Sequence, residues 1–490
     1  MLAYTIKSSK IVNHIFIPKY YDPELKRELD ALSNTHDLLL LGDLIDTGEV
    51  QIQTGHEIGK MAYGTGKIPF VRTSDITNWE IKAVPKQGVS EEIFEYYAER
   101  EDVREGDILL VKDGTYLIGT NCIINAMDIP MIFQSHILKI RVKSQKRINS
   151  HLLFLAINNA LVQRQIRNIQ FTADIIDTIS GRYRELIIPI PKDAEKRAFL
   201  TEKIRDALDT RVKYKAAVKQ MPLLIEKILD TEDTSVFQQF FDQSIDEILT
   251  QLVQDTITLE FGDFTAFRIK NSGIKNGIIL PKYYDPAISS ILEKLSCTCK
   301  LMSIQDLVDD GIIMLASGDE IGKMAYGTGG IPFVRTSDFS NWEIKADAKQ
   351  GVSEEIYQKY AEKEDVQAED ILLVRDGTYL VGSSCMITTA DSKMLYCGGL
   401  IKIRVLKSEL IDPYSLLGLL NSYIVKRQIR TKQFTRDVID TIGQRFKEVV
   451  LPIPKNPAVM NEISSRVKAI IHNRIDARDS ILQLSREIAE

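Results

Sequence analysis

Several features are scarce or missing in this sequence of 490 residues. It has only five cysteines, an odd number without the pair-of-pairs spacing of a zinc site, which suggests a reducing compartment. No apolar run approaches the roughly 18 residues of a membrane-spanning helix. The opening segment lacks the charged, apolar and small-residue regions of a signal peptide. Together these absences predict a cytoplasmic globular protein.

A surplus of positive charge is also missing. The net charge is −6, which argues mildly against a chain that grips nucleic acid unaided, because Lys and Arg supply most of the non-specific affinity for phosphates. Local basic patches or a basic partner are compatible with this charge. The length is sufficient for about two to four domains with their own cores.

What the sequence does contain is one long internal repeat at a constant offset of 263 residues. The segment "IPFVRTSDITNWEI" at 68–81 returns as "IPFVRTSDFSNWEI" at 331–344, and each copy carries one of the two tryptophans. Residues 59–93 match residues 322–356 at 30 of 35 positions. No gap is needed from residue 1 to about 191. A period this long excludes a solenoid and predicts a duplicated domain.

Each copy continues into a segment with apolar residues at helical spacing, which predicts an amphipathic helix that needs a partner helix. We expect Pro222 to kink or end the first of these helices. Residues 236–254 predict a further acidic amphipathic helix between the copies. The predicted divisions are 1–192 for the first domain, 193–230 for its helix, 231–263 for a linker helix, 264–455 for the second domain and 456–490 for the last helix.

Within each copy the pattern is mixed. "DILLVKDGT" predicts a strand that enters a turn, and the alternating "ILKIRV" at 137–142 predicts a half-buried strand with its Lys and Arg in solvent. Residues 150–168 and 413–431 are predicted to be helical. The "PIP" before each long helix is expected to stop a strand, since proline donates no ladder hydrogen bond. The fold class is therefore predicted to be α+β and mostly antiparallel.

Two motifs suggest chemistry that the rest of the sequence does not support. "GTGK" at 64–67 lacks the other residues of a phosphate loop, and the second copy has Gly330 in place of the Lys. Asp75, Glu80 and Lys82 resemble the metal-binding set of some nucleases. The spacing of the carboxylates is short for such a site, and an exposed acid–base pair is the favoured interpretation. The tryptophans are interpreted as core residues.

Polar residues at strand ends and near the end of each copy are better suited to binding. Short hydroxyl and amide groups can donate to phosphate oxygens, and arginine can also read guanine. The predicted DNA-binding side chains are Arg72, Thr73, Ser74, Lys112, Thr115, Tyr116, Arg164, Arg167, Thr172, Arg335, Thr336, Ser337, Arg375, Thr378, Tyr379, Arg427, Arg430, Thr435 and Arg436.

The motifs "IPFVRTSDI", "GDILLVKDGTYLIG" and a "PIP" that leads into a long helix, present as a unit twice, resemble the specificity subunit of type I restriction–modification systems. The resemblance covers almost the whole chain. No single motif is diagnostic of that family. The order of domain, helix, domain and helix makes the resemblance specific.

The resemblance implies a non-catalytic, prokaryotic and cytoplasmic subunit. Each copy would be a target recognition domain that reads one half of a split site in double-stranded DNA. The two long helices would pair as an antiparallel coiled coil, and about 30 helical residues, or roughly 45 Å, would set the spacing of the half-sites. The helices would also dock two adenine methyltransferase subunits, which carry S-adenosylmethionine, while this chain would hold no cofactor and no metal. A motor–nuclease subunit is a further implied partner.

This sequence departs from the family pattern because its two domains are close copies, whereas those of the family typically differ strongly. We therefore expect two similar, inverted half-sites and a nearly palindromic target. The half-sites could diverge where the copies differ: His56/Asp319, Lys67/Gly330, 134–136/397–399 and Ala173/Arg436. Two other functions stay open from the residues alone, a stand-alone Mg²⁺-dependent nuclease and a scaffold that binds only protein.

Overall fold

The computed structural model describes residues 6–12, 15–114, 116–145, 147–173, 176–248, 267, 269, 273–275, 277–346, 350–377, 379–436 and 439–490. The chain divides into two compact units. The first unit consists of Met1–Arg211 and Asp476–Glu490, and the second consists of Val212–Ile475. Among the described residues, none of the helices is both long enough and apolar enough to cross a membrane.

The first unit contains short strands and helices, and its helix α6 continues beyond the unit. The helices are α1 Pro23–Leu32, α2 Leu41–Asp46, α3 Glu91–Glu101, α4 Ser150–Asn158, α5 Ala160–Ile169 and α6 Ala194–Thr231. The strands are β1 His36–Leu40, β2 Val50–Thr54, β3 Ile68–Val71, β4 Ile76–Thr77, β5 Glu80–Ile81, β6 Gly88–Val89, β7 Ile108–Val111, β8 Asn121–Ile123, β9 Ile132–Phe133, β10 Ile137–Val142, β11 Phe171–Ala173, β12 Ile176–Thr178 and β13 Ile187–Pro191.

The second unit repeats this order. Its helices are α7 Ser235–Phe241, α8 Pro286–Leu295, α9 Ile304–Asp309, α10 Glu354–Glu364, α11 Pro413–Leu420, α12 Tyr423–Lys432 and α13 Pro457–Glu487. Its strands are β14 Cys299–Ser303, β15 Ile313–Ser317, β16 Ile331–Val334, β17 Phe339–Ser340, β18 Glu343–Ile344, β19 Gly351–Val352, β20 Ile371–Val374, β21 Ser384–Met386, β22 Leu395–Tyr396, β23 Leu400–Val405, β24 Phe434–Arg436, β25 Ile439–Thr441 and β26 Val450–Pro454.

The strands of the two units pair in the same way. The main sheet is antiparallel, in the order β2-β10-β7-β8 in the first unit and β15-β23-β20-β21 in the second. A smaller sheet contains the parallel pair β3–β9, or β16–β22 in the second copy. The predicted α+β class with mostly antiparallel strands is confirmed.

The prediction that the Lys and Arg of the central strand β10 face solvent is wrong. Lys139 and Arg141 are buried, with 2% and 9% of their surface exposed. Arg141 donates to both carboxylate oxygens of Asp107 at 2.7 Å, and Lys139 donates to the carbonyl oxygen of Asp102 at 2.9 Å. Alternating charged residues in a strand indicate a solvent-exposed face only when the charges have no partners inside the protein. Here Asp102 and Asp107 are such partners, and they stabilise the buried charges. Lys402 and Arg404 repeat this arrangement in the second unit.

Two other local predictions need correction. The helix expected over 150–168 is two helices, because Asn159 is extended and its side chain accepts a hydrogen bond from the amide of Leu161 to begin the second. The helix expected over 413–431 divides in the same place. The "PIP" segment is itself the end of strand β13, which pairs with β1 in a two-stranded sheet. A two-stranded sheet consists of edges, where a missing proline amide is tolerated.

The long helices α6 and α13 contribute residues to both units. Pro222 lies inside α6 and does not end it. In the first unit, one core contains side chains from the start of α6 and the end of α13, namely Leu200, Ile204, Leu208, Ile481, Leu484 and Ile488. In the second unit, Gly418 of α11 faces both long helices, and a Cβ there would lie 3.4 Å or less from Ile225, Ile463 and Val467. The stripe predicted for α13 is therefore confirmed as a core face.

The helix expected over 231–263 is interrupted in the described part. α7 ends at Phe241, and the amides of Asp242 and Gln243 close its last turn. Ser244 then caps a new turn, since its amide donates to the carboxylate of Glu247 at 2.7 Å. The rest of this segment, 249–266, lies outside the described residues.

Candidate nucleic-acid interface

The repeated segment 68–81 folds around one buried carboxylate. Asp75 accepts hydrogen bonds from the amides of Arg72 at 3.0 Å and Lys86 at 3.3 Å. Asp338 binds the amide of Arg335 in the same way at 2.9 Å. The carboxylate is thus used to shape the turn after the strand, and this turn holds Arg72, Thr73 and Ser74 at the strand end.

A tight hairpin follows, and it requires a left-handed turn. Asn78 and Trp79 both have positive φ, 50° and 62°, as do Asn341 and Trp342 with 51° and 69°. Such a backbone is costly for tryptophan and persists only when the surroundings hold it. The indole nitrogen of Trp79 donates to Asn158 at 2.9 Å, and Trp342 is 5% exposed. The interpretation of the tryptophans as core residues is confirmed for Trp342, and Trp79 is half-buried against the core of the first unit.

The hairpin presents a buried glutamate to a long helix in each unit. A carboxylate oxygen of Glu80 lies 3.3 Å from a guanidinium nitrogen of Arg211 on α6. In the second unit Arg474 on α13 donates to Glu343, and both side chains are at most 1% exposed. A buried ion pair of this kind is expensive to break from one side. The repeated segment therefore attaches each domain to its long helix through this buried ion pair.

Sequence reasoning missed the two arginines, although a signal was present. Arg211 and Arg474 are separated by the repeat offset of 263, and "RVKYK" at 211–215 aligns with "RIDAR" at 474–478. Extending the repeat comparison into the helices would have found this pair.

These contacts of Asp75 and Glu80 also weaken the nuclease interpretation. Asp75 binds backbone amides and Glu80 faces an arginine, so the two carboxylates are not directed at a shared ion site. In the part of the chain that the structure describes, no group of three or more His, Cys, Asp or Glu side chains could hold a metal ion.

The loop after β7 meets the β11–β12 hairpin. Thr178 donates to Asp113, and the amide of Gly114 donates to the carbonyl oxygen of Asp177 at 2.8 Å. The hydroxyl of Thr172 donates to the carboxylate of Asp177 at 2.7 Å. These contacts bring the predicted residues Lys112 and Thr172 onto one surface, although they are 60 positions apart in the sequence.

The second unit forms the same junction with its own residues. The amide of Gly377 donates to the carbonyl oxygen of Asp440 at 2.8 Å, and Thr435 donates to its carboxylate at 2.6 Å. Tyr116 and Tyr379 follow these loops and are 50% and 58% exposed. Exposed tyrosines beside hydroxyl groups and cations can contact phosphate, sugar or base edges.

Several cationic side chains lie at the base of the β11–β12 hairpin and of its counterpart β24–β25. Some of them were not among the residues predicted from the sequence. Burial, and then the nearby charges of Arg167 and Arg182, lower the pKa of Lys19, while Asp177 opposes the shift. Arg182 lies over the rings of Tyr20 at 4.5 Å and Phe171 at 5.9 Å. The signal for Lys19 and Arg182 was their recurrence at the repeat offset.

The corresponding cations of the second unit are Lys282 and Arg445. Lys282 donates to the carbonyl oxygen of Gln433 at 2.6 Å, and Arg445 lies 3.9 Å from the ring centre of Phe434. Both units therefore present a basic hairpin base beside the loop that carries Lys112 or Arg375.

Other predicted residues have contacts within the protein. Arg164 donates to Asp22 at 2.6 Å and to Glu28 at 2.9 Å, and Arg427 donates to Asp285 at 2.6 Å. Asp22 and Asp285 cap the first helix of each domain, so these two arginines fasten that helix. Arg430 is exposed.

Three predicted positions cannot be placed. Thr115, Thr378 and the side chain of Arg436 lie outside the described residues. Ser74 and Ser337 are exposed, and Thr73 and Thr336 are half-buried.

Comparison with known proteins gives solved structures only. No protein-family model matches the sequence, and no curated protein matches it. A structure from M. genitalium is similar over 92% of this chain and 96% of its own, with 10% identity and a TM-score of 0.35. One from Thermoanaerobacter tengcongensis covers 93% and 95%, with 15% identity and a TM-score of 0.27.

These two are type I restriction–modification S subunits. A third structure, described with the complex assembly and conformational transition of the type I system, covers 93% of this chain and 96% of its own at 15% identity and a TM-score of 0.27. The similar structures thus come from the systems that the sequence resembles.

Proposed function

We propose that this chain is the specificity subunit of a type I restriction–modification complex. It binds double-stranded DNA at a bipartite site and directs adenine methylation, and cleavage where a motor–nuclease subunit is present, by its partners. The chain itself is non-catalytic in this proposal. S-adenosylmethionine belongs to the methyltransferase subunits.

The observation that carries the proposal is that both units have an equivalent polar surface and an equivalent buried ion pair to a long helix. Lys112 with Thr172, and Arg375 with Thr435, form equivalent polar surfaces in the two units. Each unit is tied to a long helix by the same buried Glu–Arg pair. Two equivalent reading surfaces on one chain suit a DNA site with two half-sites.

The charges support the need for partners. Each hairpin base contributes only a few cations, and the net charge of the chain is −6. Because phosphate neutralisation supplies most non-specific affinity, methyltransferase subunits would provide much of the grip on DNA. The long helices, which contribute residues to both units, are the proposed docking elements for two such subunits.

The near identity of the units supports a nearly palindromic target. Arg72, Thr73 and Ser74 recur as Arg335, Thr336 and Ser337 on the same turn. Two chemically similar surfaces prefer similar base sequences, so the half-sites are proposed to be similar and inverted.

The test is DNA binding and methyl transfer with the purified chain, alone and co-expressed with adenine methyltransferase subunits. The expected result is weak binding alone and tight, sequence-dependent binding with methyl transfer to adenine in the complex. No DNA binding in either preparation would identify a protein-only scaffold. Mg²⁺-dependent cutting by the chain alone, lost in Glu80→Ala/Glu343→Ala, would identify a nuclease.

A further inference from the structure

The two units share one turn whose backbone is the same and whose side chains differ completely. The amides of Gln134 and Cys397 donate to the carbonyl oxygens of Val71 and Val334 at 3.0 and 2.9 Å. The carbonyl oxygen of the third residue of the turn accepts a further hydrogen bond. In the first unit the amide of Lys112 donates to His136 at 3.0 Å, and in the second unit the amide of Arg375 donates to Gly399 at 2.9 Å. Its side chains are Gln-Ser-His in the first unit and Cys-Gly-Gly in the second.

In the first unit the turn builds a dense polar cluster. Nδ1 of His136 lies 2.9 Å from a carboxylate oxygen of Asp113, and Lys112 donates to the same oxygen at 2.8 Å. Ser135 donates to Glu57. His136 is 35% exposed and Lys112 is 18% exposed. The imidazole is therefore more accessible than the Lys112 side chain.

In the second unit the same place holds a guanidinium and two glycines that lie in close contact with their neighbours. Arg375 donates from Nε and Nη2 to one oxygen of Asp376 at 3.0 and 2.8 Å, and from Nη1 to Ser317 at 3.3 Å. Its side chain is 30% exposed. A Cβ at Gly399 would lie 3.0 Å from Thr336, so the glycine turn also adjoins the shared Arg-Thr-Ser segment.

We infer that these positions, here called the divergent patch, determine where the two half-sites differ. The patch consists of Lys112, Ser135 and His136 in the first unit and of Arg375, Gly398 and Gly399 in the second. The inference rests on the proposed function. Surfaces that are equal in both units contact what is equal in both half-sites, so a base difference has to be read by side chains that differ.

The chemistry of the patch gives different preferences on one backbone. A guanidinium can donate twice to O6 and N7 of guanine, which a single ammonium cannot do with the same geometry. An imidazole offers one donor or acceptor site at a position where the second unit has only a glycine backbone. The target is therefore an imperfect palindrome, with its asymmetry at the base pairs that face this patch.

The test converts the first unit into the second. The variant Lys112→Arg/Ser135→Gly/His136→Gly removes side chains or replaces one cation by another, so it introduces no clash of the kind that His at position 399 would make with Thr336. The complex with methyltransferase subunits is expressed in a host without adenine methylation, and modified adenines are sequenced. We expect the first half-site to become the inverted copy of the second, with discrimination between the two changed by about tenfold or more.

A matched control separates the patch from divergence in general. Lys67→Gly also converts a divergent position, but it lies before β3, at the opposite end of that strand from Arg72, and it should leave the motif unchanged. An unchanged motif in the triple variant, or a motif changed by Lys67→Gly alone, overturns the inference.

A second variant decides the matter if the first does not assemble. Arg375→Lys alters only the second unit and should relax the preference at the second half-site alone. An unaltered preference there overturns the inference. A wild-type complex that methylates no defined motif would instead refute the proposed function itself, so the two failures are distinguishable.

Discussion

The two units carry the same buried glutamate at the end of the same helix but give it opposite neighbours. In the first unit, a carboxylate oxygen of Glu101 lies 2.9 Å from Nδ1 of His56. In the second unit, Glu364 accepts a hydrogen bond from the amide of Asp319 at 3.3 Å, and the carboxylate of Asp319 is nearby. The glutamates are 1% and 2% exposed.

The difference between the neighbours modifies the pKa that burial gives the glutamate. Burial raises the pKa of both side chains. The hydrogen bond from His56 opposes this shift at Glu101, whereas the charge of Asp319 adds to it and the pKa of Glu364 reaches about 7. One neighbouring residue thus shifts the pKa of a buried group on an unchanged backbone. The divergent patch is a second case of the same kind of change, at an exposed place.

The largest expected effect comes from breaking what the units share. Arg474→Met leaves Glu343 charged and buried, and should lower the free energy of unfolding of the second unit by about 3–5 kcal/mol. Arg211→Met should cost the first unit somewhat less, because Glu80 is 7% exposed and Glu343 only 1%. Each unit has one tryptophan, so denaturant unfolding followed by fluorescence in Trp79→Phe or Trp342→Phe backgrounds reports on one unit at a time.

The double variant Glu343→Gln/Arg474→Met is the control for this prediction. It removes both charges and should recover most of the lost stability. A double variant as unstable as Arg474→Met alone would show that the ion pair is not the fastening.

The next effect sharpens the comparison of the two glutamates. The folded pKa of Glu364, about 7, lies above its ordinary value of 4.5. Its contribution to stability is therefore fully present below pH 4.5 and is lost as the pH rises through 7, by up to roughly 3 kcal/mol. Glu364→Gln should flatten the pH dependence of unfolding of the second unit in this range, measured by the fluorescence of Trp342. Glu101→Gln should have a smaller effect on the first unit, and an equal effect would contradict the comparison.

A smaller effect is expected from exchanging one neighbour. His56→Asp gives the first unit the charge pattern of the second and should destabilise it by about 1–2 kcal/mol at pH 7. The loss should diminish as the pH falls, because protonation of Glu101 removes the repulsion between the two carboxylates. His56→Gln is the control, because it removes the imidazole without adding a negative charge. A pH-independent loss in His56→Asp would be inconsistent with coupling to Glu101.

The smallest effect distinguishes arginines that form ion pairs within the protein from cationic side chains that contact DNA. Arg164→Gln breaks a partly exposed pair with Asp22 and should cost at most about 1 kcal/mol of stability. It should leave DNA affinity of the complex unchanged. Lys19→Ala/Arg182→Ala should weaken DNA binding for all sequences and reduce its salt dependence, measured by anisotropy titrations at several salt concentrations. Equal losses of affinity in both variants would place Arg164 at the DNA as well.

Much of the architecture could be predicted because it depends on patterns that repeat. The offset of 263 defines the duplicated domain, and apolar positions such as Ile463 and Val467 define the helix face that enters the core. Strand β7 was predictable from its apolar run and the Asp-Gly that follows it. These features are local or periodic, so a single sequence contains them.

The contacts that fix the site were harder to predict because they join distant segments. Lys139 and Arg141 look solvated in the sequence, and only the fold brings Asp102 and Asp107 to them. Arg211 looks like one more charge on a long helix until the hairpin places Glu80 beside it. Binding surfaces are assembled in the same way, so their residues could be proposed from the sequence but not grouped.

The repeated use of one recognition surface is tested most directly by the motif of modified adenines that the wild-type chain produces with its methyltransferase partners. We expect two half-sites that are inverted repeats of each other, differing only at the few base pairs that face the divergent patch. Two half-sites with unrelated sequences would contradict the claim that one recognition surface is used twice.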